Sequence, residues 1–384
     1  MKNMNRRKSY DAILKSLIYL CTGLTLFVLV VIIGFVLYKG LPGINLNFLT
    51  RQWDDKTTFV NVIPSQEDIN TDKKENNYIS TLGIYIEQDG EDFVITKIDS
   101  TSPVLEAKNL KNVNYELMKL DEITKVDSTN LSGLTLEEVV SMLNQLNGEV
   151  RLKVTRPGGG IIPMLVSTIY IILLSLLIAA PIGICSAIYL NEYAKPGKIL
   201  RLIRFAIQNL AGIPSIIYGL FGMLVFVRLL KMEYSILAGS LTLSILLLPT
   251  IISTTEEALK EIPKAYRESS YGLGATKIQT ISRVILPGAL PGILVAVILS
   301  IGRIVGESAA LIWTAGTVAQ IPETLTGSKA SSATLTTKMY WLIKETADLE
   351  AASSIAVVLL VLIILLNMIS KLITRRFLKK RGTL

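Results

Sequence analysis

Six long apolar runs constrain this chain more than anything else in it, near residues 13–38, 161–190, 202–229, 235–253, 290–312 and 354–373. At a rise of ~1.5 Å per residue each is long enough to cross a hydrocarbon layer of roughly 30 Å. Such a layer holds no water to bond backbone N–H and C=O groups, so spanning segments close their hydrogen bonds internally as helices. The expected fold is a polytopic α-helical membrane protein with six transmembrane helices. The composition agrees: half of the 384 residues are hydrophobic and the mean hydropathy is +0.49.

The charge pattern orients these spans. The formal net charge of +8 hides an acidic middle, since residues 41–157 carry 12 Lys and Arg against 19 Asp and Glu. The basic surplus instead clusters beside apolar runs: Arg6, Arg7 and Lys8 at the start, Lys195, Lys198 and Arg201, and a tail with Lys371, Arg375, Arg376, Lys379, Lys380 and Arg381. Positive segments stay on the cytoplasmic side, which places both termini inside and residues 41–157 outside a cell membrane. This placement also argues against nucleic acid as the partner of a basic chain. Residues 316–350 then fall outside as a Ser/Thr/Gly-rich loop, with MYWLI at 339–343 as an interfacial anchor. The run at 13–38 is too long for a signal-peptide core and lacks a clean cleavage site, so it reads as an anchor.

The chain contains no histidine, which excludes H-E-x-x-H zinc sites and every Ser/His or Cys/His nucleophile. No G-x-x-x-x-G-K-[ST] phosphate loop is present, so any ATP-driven work needs another chain. Cys21 and Cys185 both sit in apolar runs and are expected to pack as small apolar side chains. No metal or cofactor is implied.

Three domain segments follow: 1–50 with the first span, a soluble insertion at 51–156, and a five-span core at 157–384. In the insertion, 51–78 is polar and reads mostly as linker. Strands are expected at 83–87, 93–98, 123–126 and 149–155. LTLEEVVSMLNQL at 134–146 has helical periodicity, with Thr135 as N-cap and Glu138 completing a capping box.

Two stretches carry candidate chemistry. EEALKEIPKAYRESSYGLGATKIQTISRVILP, 256–287, is dense in charge yet runs directly into an apolar span. Within it Glu268, Ser269 and Ser270 are followed by Gly274 and then by a V-I-L-P ending in Leu286 and Pro287. A short helix here, ended by Gly272 or Gly274, can pass a rigid-body push to the flanking spans. The second stretch is SIGRIVGESAAL, where Arg303 and Glu307 lie four residues apart and are expected on one helix face inside the fifth span. An ionised group there costs at least ~2.5–3.5 kcal/mol on insertion scales and normally faces a cavity or partner. Arg presents planar bidentate donors to oxyanions. Glu307 can neutralise Arg303 or accept a hydrogen bond from a protonated phosphate oxygen, a donor that sulfate does not offer. A structural ion pair is the competing reading. Asn209, ahead of a break at Gly212-Ile213-Pro214, is a further candidate pathway residue.

The spacing E-S-S, three residues, G, nine residues, V-x-L-P resembles the EAA loop of ABC-importer permeases, with Ser for both alanines and Val for isoleucine. GLPGINLNFLT (40–50), the stretch 158–194, GRIVGESAALIWTAG (302–316) and TLTTKMYWL (334–342) resemble the PstA family of phosphate permeases. That resemblance implies the type I ABC importer fold and a transporter subunit that is not itself an enzyme. It also implies a second permease PstC, an ATPase dimer PstB docking on the EAA loops, an extracytoplasmic binding protein PstS, and inorganic phosphate as cargo. The insertion departs from that family. Its Leu82-Gly83-Ile84, Ser102-Pro103, LDEI (120–123) and EEVV (137–140) resemble a PDZ domain, in which the first three would form the carboxylate loop; the stretch 111–119 is longer than usual. The alternatives are a permease for another oxyanion or a non-transporting sensor with an extracellular PDZ-like domain. An intramembrane zinc protease with a PDZ exosite is excluded by the missing histidines.

Overall fold

The computed structural model describes residues 2–65, 69, 76–90, 92–110, 112–146 and 148–379. Part of the expected linker (66–68 and 70–75), Lys111, and Lys380 and Arg381 of the basic tail lie outside the described residues. The chain divides into two units, one formed by 1–50 with 161–384 and the other by Arg51–Gly160.

The chain starts with α1 (Lys2–Gly40) and the short α2 (Leu46–Thr50). The second unit is β-rich. In order it forms β1 (Lys56–Val62), β2 (Tyr78–Ile79), β3 (Ile84–Asp89), β4 (Asp92–Ile98), β5 (Lys108–Asn109), β6 (Glu122–Val126), β7 (Thr129–Asn130), α3 (Leu136–Asn144) and β8 (Val150–Arg156). The strands make one antiparallel sheet, ordered β2-β3-β4-β6-β8-β1-β5, with β7 paired to β6. Period-two alternation decides the buried face: Val150, Leu152 and Val154 of β8 point into the core while Arg151 and Lys153 point out. Phe93, Ile95, Ile84 and Ile86 fill the same core, against Val139 and Leu143 of α3.

The linker expectation for 51–78 is corrected here. Residues 56–62 are a strand paired along all of β8, from Lys56↔Arg156 to Val62↔Val150. Its partner lies almost a hundred residues away, so nothing local signals the pairing. Where the insertion returns, Gly158 and Gly160 have no room for a Cβ, because the carbonyls of Trp53 and Arg51 occupy that space. Hydrogen bonds from Gly159 N to Trp53 O and from Gly160 N to Gln52 O, each 2.8 Å, zip the outgoing and returning chain together.

The first unit continues through α4 (Ile162–Ile188), extended by a π turn over Tyr189–Tyr193, then α5 (Lys198–Ala211), α6 (Ser215–Gly222) with a π continuation over Met223–Leu229, and α7 (Ile236–Glu261). After these come α8 (Lys264–Gly272), α9 (Lys277–Thr280), a π turn over Ile281–Ile285, α10 (Leu286–Gly306), α11 (Ala309–Ile312), α12 (Leu335–Trp341) and α13 (Leu349–Lys379). Among the described residues five helices are long and apolar enough to cross a membrane, or six if the bent pair α5 and α6 counts as one span. The core of this unit is α7 against α4 and α10. Serine hydroxyls stitch α7 to α4, with Ser244 Oγ donating to Ser175 O and Ser175 Oγ to Ser240 O, each 3.2 Å.

The break expected at Gly212-Ile213-Pro214 is present, and it bends the 202–229 run by 97° into α5 and α6. Pro214 has no N–H to continue the ladder, and the carbonyl of Leu210, which accepts the Ile213 N–H at 3.2 Å, also takes the Tyr218 hydroxyl at 2.9 Å. Two further expectations are corrected. The expected loop at 316–350 contains α12, capped reciprocally by Thr334 and Thr337 and buried from Leu335 to Lys338. Cys21 and Cys185 are both exposed, on helix faces that the rest of the chain leaves uncovered.

The α3 capping box is complete: Thr135 N donates to Glu138 Oε2 at 2.9 Å, and Glu138 N to Thr135 Oγ1 at 3.4 Å. These bonds hold the Glu138 carboxyl below its ordinary value, chiefly through the Thr135 backbone N–H. A depressed folded pKa contributes stability above the unfolded value and loses it as pH falls through the folded one. Thr135→Ala removes the hydroxyl that caps α3 and should destabilise that helix by about 1 kcal/mol at pH 7. Hydrogen exchange of 136–144 in the intact protein should show the gap narrowing once the solution is acid enough to protonate Glu138.

Candidate functional site

Arg303 lies in the last turn of α10, half-buried, and its Nη1 donates to Thr250 Oγ1 of α7 at 3.2 Å. The expectation that Glu307 shares its helix face is corrected. The helix stops at Gly306, and Glu307 is extended at φ −83° and ψ 122°. Its N–H still bonds Ile304 O, while its Oε1 accepts from Ala310 N at 3.2 Å and caps the next turn. Its carbonyl accepts the Thr336 hydroxyl of α12 at 3.0 Å. No Arg303–Glu307 ion pair forms among the described residues; each side chain has a partner from another turn or helix. The cause is local: Gly306 favours an end to the helix, and the carboxylate of Glu307 satisfies an amide freed there.

Asn209 sits in the last turn of α5, exposed, with its amide donating to Phe205 O at 2.7 Å. It belongs to the helix leading into the 97° break and shares no hydrogen bond with Arg303. Sequence reasoning missed Thr250, because a threonine inside an apolar run reads as a tolerated small polar group.

The charged stretch 256–287 folds as the end of α7, then α8, α9 and the first turn of α10. Pro263 begins α8, whose Glu268, Ser269 and Ser270 are all unburied, and Gly274 turns the chain at φ +81°. Ser270 Oγ and Thr280 Oγ1 share a hydrogen bond of 2.9 Å, closing the loop on itself. Leu273 at 90% exposure and Ile278 at 71% leave an apolar tip uncovered. Leu286 and Pro287 open α10, so the loop continues covalently into the helix that carries Arg303.

Behind α8 are ion pairs that the sequence did not reveal. Arg267 pairs with Glu192 at 2.8 Å, and Glu256 pairs with Arg204 at 2.5 Å and Lys260 at 2.9 Å. Only the Glu256–Lys260 spacing of four residues was visible as a local signal. An open cleft of ≈ 560 Å³ lies beside Ile262, Pro263, Tyr266, Arg283 and Gly292.

In the β unit Leu82 and Ile84 are buried and Gly83 turns at φ +63°. This loop bonds its own chain: Gly83 N donates to Ile79 O at 2.8 Å and Ser102 Oγ to Leu82 O. β2 pairs antiparallel with the outer edge of β3, Tyr78 opposite Tyr85 and Ile79 opposite Ile84. Ser80 N and Thr81 Oγ1 then tie the turn to Asn144 and Leu143 at the end of α3.

A bundle of long apolar helices, interrupted by an exposed charged loop and holding an arginine in a late turn of one of them, has the make-up of a multi-pass membrane protein. The family described as binding-protein-dependent transport system inner membrane component matches residues 179–380, just over half of the chain, and the chain belongs to that family. The "Probable ABC transporter permease protein YqgI" of Bacillus subtilis is 36% identical over 189 residues, 48% of this chain and 64% of that relative. The "Phosphate transport system permease protein PstA 1" of Mycobacterium tuberculosis is 37% identical over 155 residues, 40% of this chain and 51% of its own. The chain thus matches between half and two thirds of these relatives' lengths. Among solved structures, the MetNI methionine ABC transporter in an inward-facing form is 21% identical over 55% of this chain and 91% of its own. Its TM-score is 0.43, a likeness too slight to add to the family match.

In a Cys21→Ser, Cys185→Ser background, Arg303→Cys, at a half-buried position, should react with a membrane-impermeant thiol reagent. Ser300→Cys, at a fully buried position one turn earlier, should not. Mass spectrometry of the labelled protein reads both.

Proposed function

We propose that the chain is one permease subunit of an ATP-driven importer of inorganic phosphate, forming half of a pathway across the cell membrane. The observation that carries this reading is Arg303 in α10, a fixed cation in an apolar span whose first turn is the end of the exposed loop 256–287. Pro287 and Arg303 are separated by roughly 24 Å of helix at ~1.5 Å per residue. A push on α8 therefore has a covalent route to the proposed anion position. The relative carrying the PstA name supports phosphate as the cargo.

In this reading the Arg303 guanidinium offers charge-assisted hydrogen bonds to the anion, and Thr250 holds it in place while the pathway is empty. Glu307 keeps unused lone pairs that accept from a protonated phosphate oxygen, which favours phosphate over sulfate. An ATPase dimer of the PstB kind docks on α8 and on the matching loop of a PstC-type second permease. The unburied Glu268, Ser269, Ser270 and the apolar tip at Leu273 supply the docking surface. A PstS-type binding protein delivers phosphate from outside. Both termini lie in the cytoplasm, in keeping with the basic segments that flank the spans.

The β unit is proposed to be PDZ-like, to face outside, and to help seat the binding protein. β1, β3, β4, β6, α3 and β8 follow in the order such a domain requires. Its β3 edge already carries β2, running toward the Gly83 turn as a bound peptide would. Seating therefore uses the unit's outer surface rather than capture of a free C-terminus.

In vesicles holding all partners, Arg303→Ala should lower ATP-driven uptake of labelled phosphate by about 10–100-fold, the loss of one charged hydrogen-bonding group. The ATPase should still co-purify. Uptake at the wild-type rate in that variant removes Arg303 from the pathway, and uptake of sulfate in place of phosphate identifies another oxyanion. Deleting 51–155 should raise the KM of uptake with respect to the binding protein; an unchanged KM and flux ends the seating role.

A further inference from the structure

α8 has no buried residue. A helix that is not held by apolar burial needs another attachment if it is to transmit force, and one side chain supplies most of it. Arg267 Nη2 donates to Glu192 Oε1 at 2.8 Å and to Leu259 O at 2.9 Å. Its Nη1 donates to Ile262 O at 2.9 Å, and its Nε reaches Glu192 Oε1 at 3.2 Å. The guanidinium thus bridges α8, the last carbonyls of α7 and the π turn that ends α4.

The pair is sheltered, with the Glu192 side chain 6% exposed and that of Arg267 17%. The same π turn meets the second half of the loop, where the Lys277 ammonium lies 4.5 Å from the Tyr193 ring centroid. Carbonyls at a helix C-terminus lack intrahelical donors and carry partial negative charge, so a cation there is favoured. Lysine cannot replace this arrangement, because a single ammonium does not present a planar fork to a carboxylate and two carbonyls at once.

We propose that Arg267 is the positioning residue of the coupling loop. It latches α8 to the ends of α4 and α7, so that movement of α8 displaces both helices together with α10. The proposal rests on the coupling reading given above. Arg267 touches no cargo; it acts by making the loop rigid with respect to the spans.

The test uses the complete complex in vesicles, with ATP hydrolysis and phosphate uptake measured on the same preparation. Arg267→Ala should keep hydrolysis within about twofold of wild type while phosphate moved per ATP falls at least about tenfold. Arg267→Lys, which keeps the charge for assembly, should lie between the two. Glu192→Ala should also uncouple, and the Glu192→Ala, Arg267→Ala double variant should be no worse than Arg267→Ala alone, as for two halves of one contact. An unchanged ratio of transport to hydrolysis in Arg267→Ala, or in Arg267→Lys should the alanine variant not assemble, overturns the latch. So do losses in the two single variants that multiply in the double. A wild-type complex that neither hydrolyses ATP nor moves phosphate overturns the coupling reading itself.

Discussion

The structure depends first on the requirement that backbone hydrogen bonds inside long apolar segments be closed by the chain itself. Where the ladder is unbroken, as along most of α1, α4, α7 and α13, the segments need nothing further. Where it breaks, a side chain bonds the backbone at the break. At Gly212–Pro214 the Tyr218 hydroxyl reaches the Leu210 carbonyl. At Gly306 the Glu307 carboxylate takes the Ala310 amide and the Thr336 hydroxyl takes the Glu307 carbonyl. Breaks of this kind are tolerated where backbone is buried in protein or lines a cavity, and the residues proposed for the anion pathway gather around them.

Polar groups do a second kind of work at the charged loop. α8 is amphipathic but has no apolar seat, so its position is set by ionic and hydrogen-bonded contacts that are sheltered yet close to the surface. Pairs of this kind hold geometry more than they add stability, since much of their Coulombic attraction offsets lost hydration. An exposed helix on a sheltered polar mount suits the coupling role proposed for it.

The β unit follows other rules, because water can satisfy its outer edges. Its core is ordinary alternation of Val, Ile, Leu and Phe on one face of the sheet. The ends of the insertion are held by backbone bonds between 52–53 and 159–160, which only a glycine-rich return allows. Burial pushes the Glu122 carboxyl up, with Asp92, Asp55 and Asp89 adding to the effect, so this unit carries a concentration of acidic charge on its sheet.

Much of this was legible in the sequence. Hydrophobic length alone located the spans, because a hydrocarbon layer permits one solution for an apolar run of that length. Thr135 and Glu138 announced the start of α3, because a capping box is a contact between neighbours in sequence. The polar register from Glu268 to Pro287 marked the exposed loop between α7 and α10 for the same reason. Other features depended on residues brought together across the chain. β1 found β8 across nearly a hundred residues, Arg303 found Thr250, and Arg267 found Glu192. The expected Arg303–Glu307 helix pair gave way because Gly306 ended the helix between them, a matter of competing local bonds that spacing does not weigh. Solvent and chain connectivity act on the sequence directly, so periodicity reports them; the partner of a buried charge is chosen by packing, and only the folded chain holds that information.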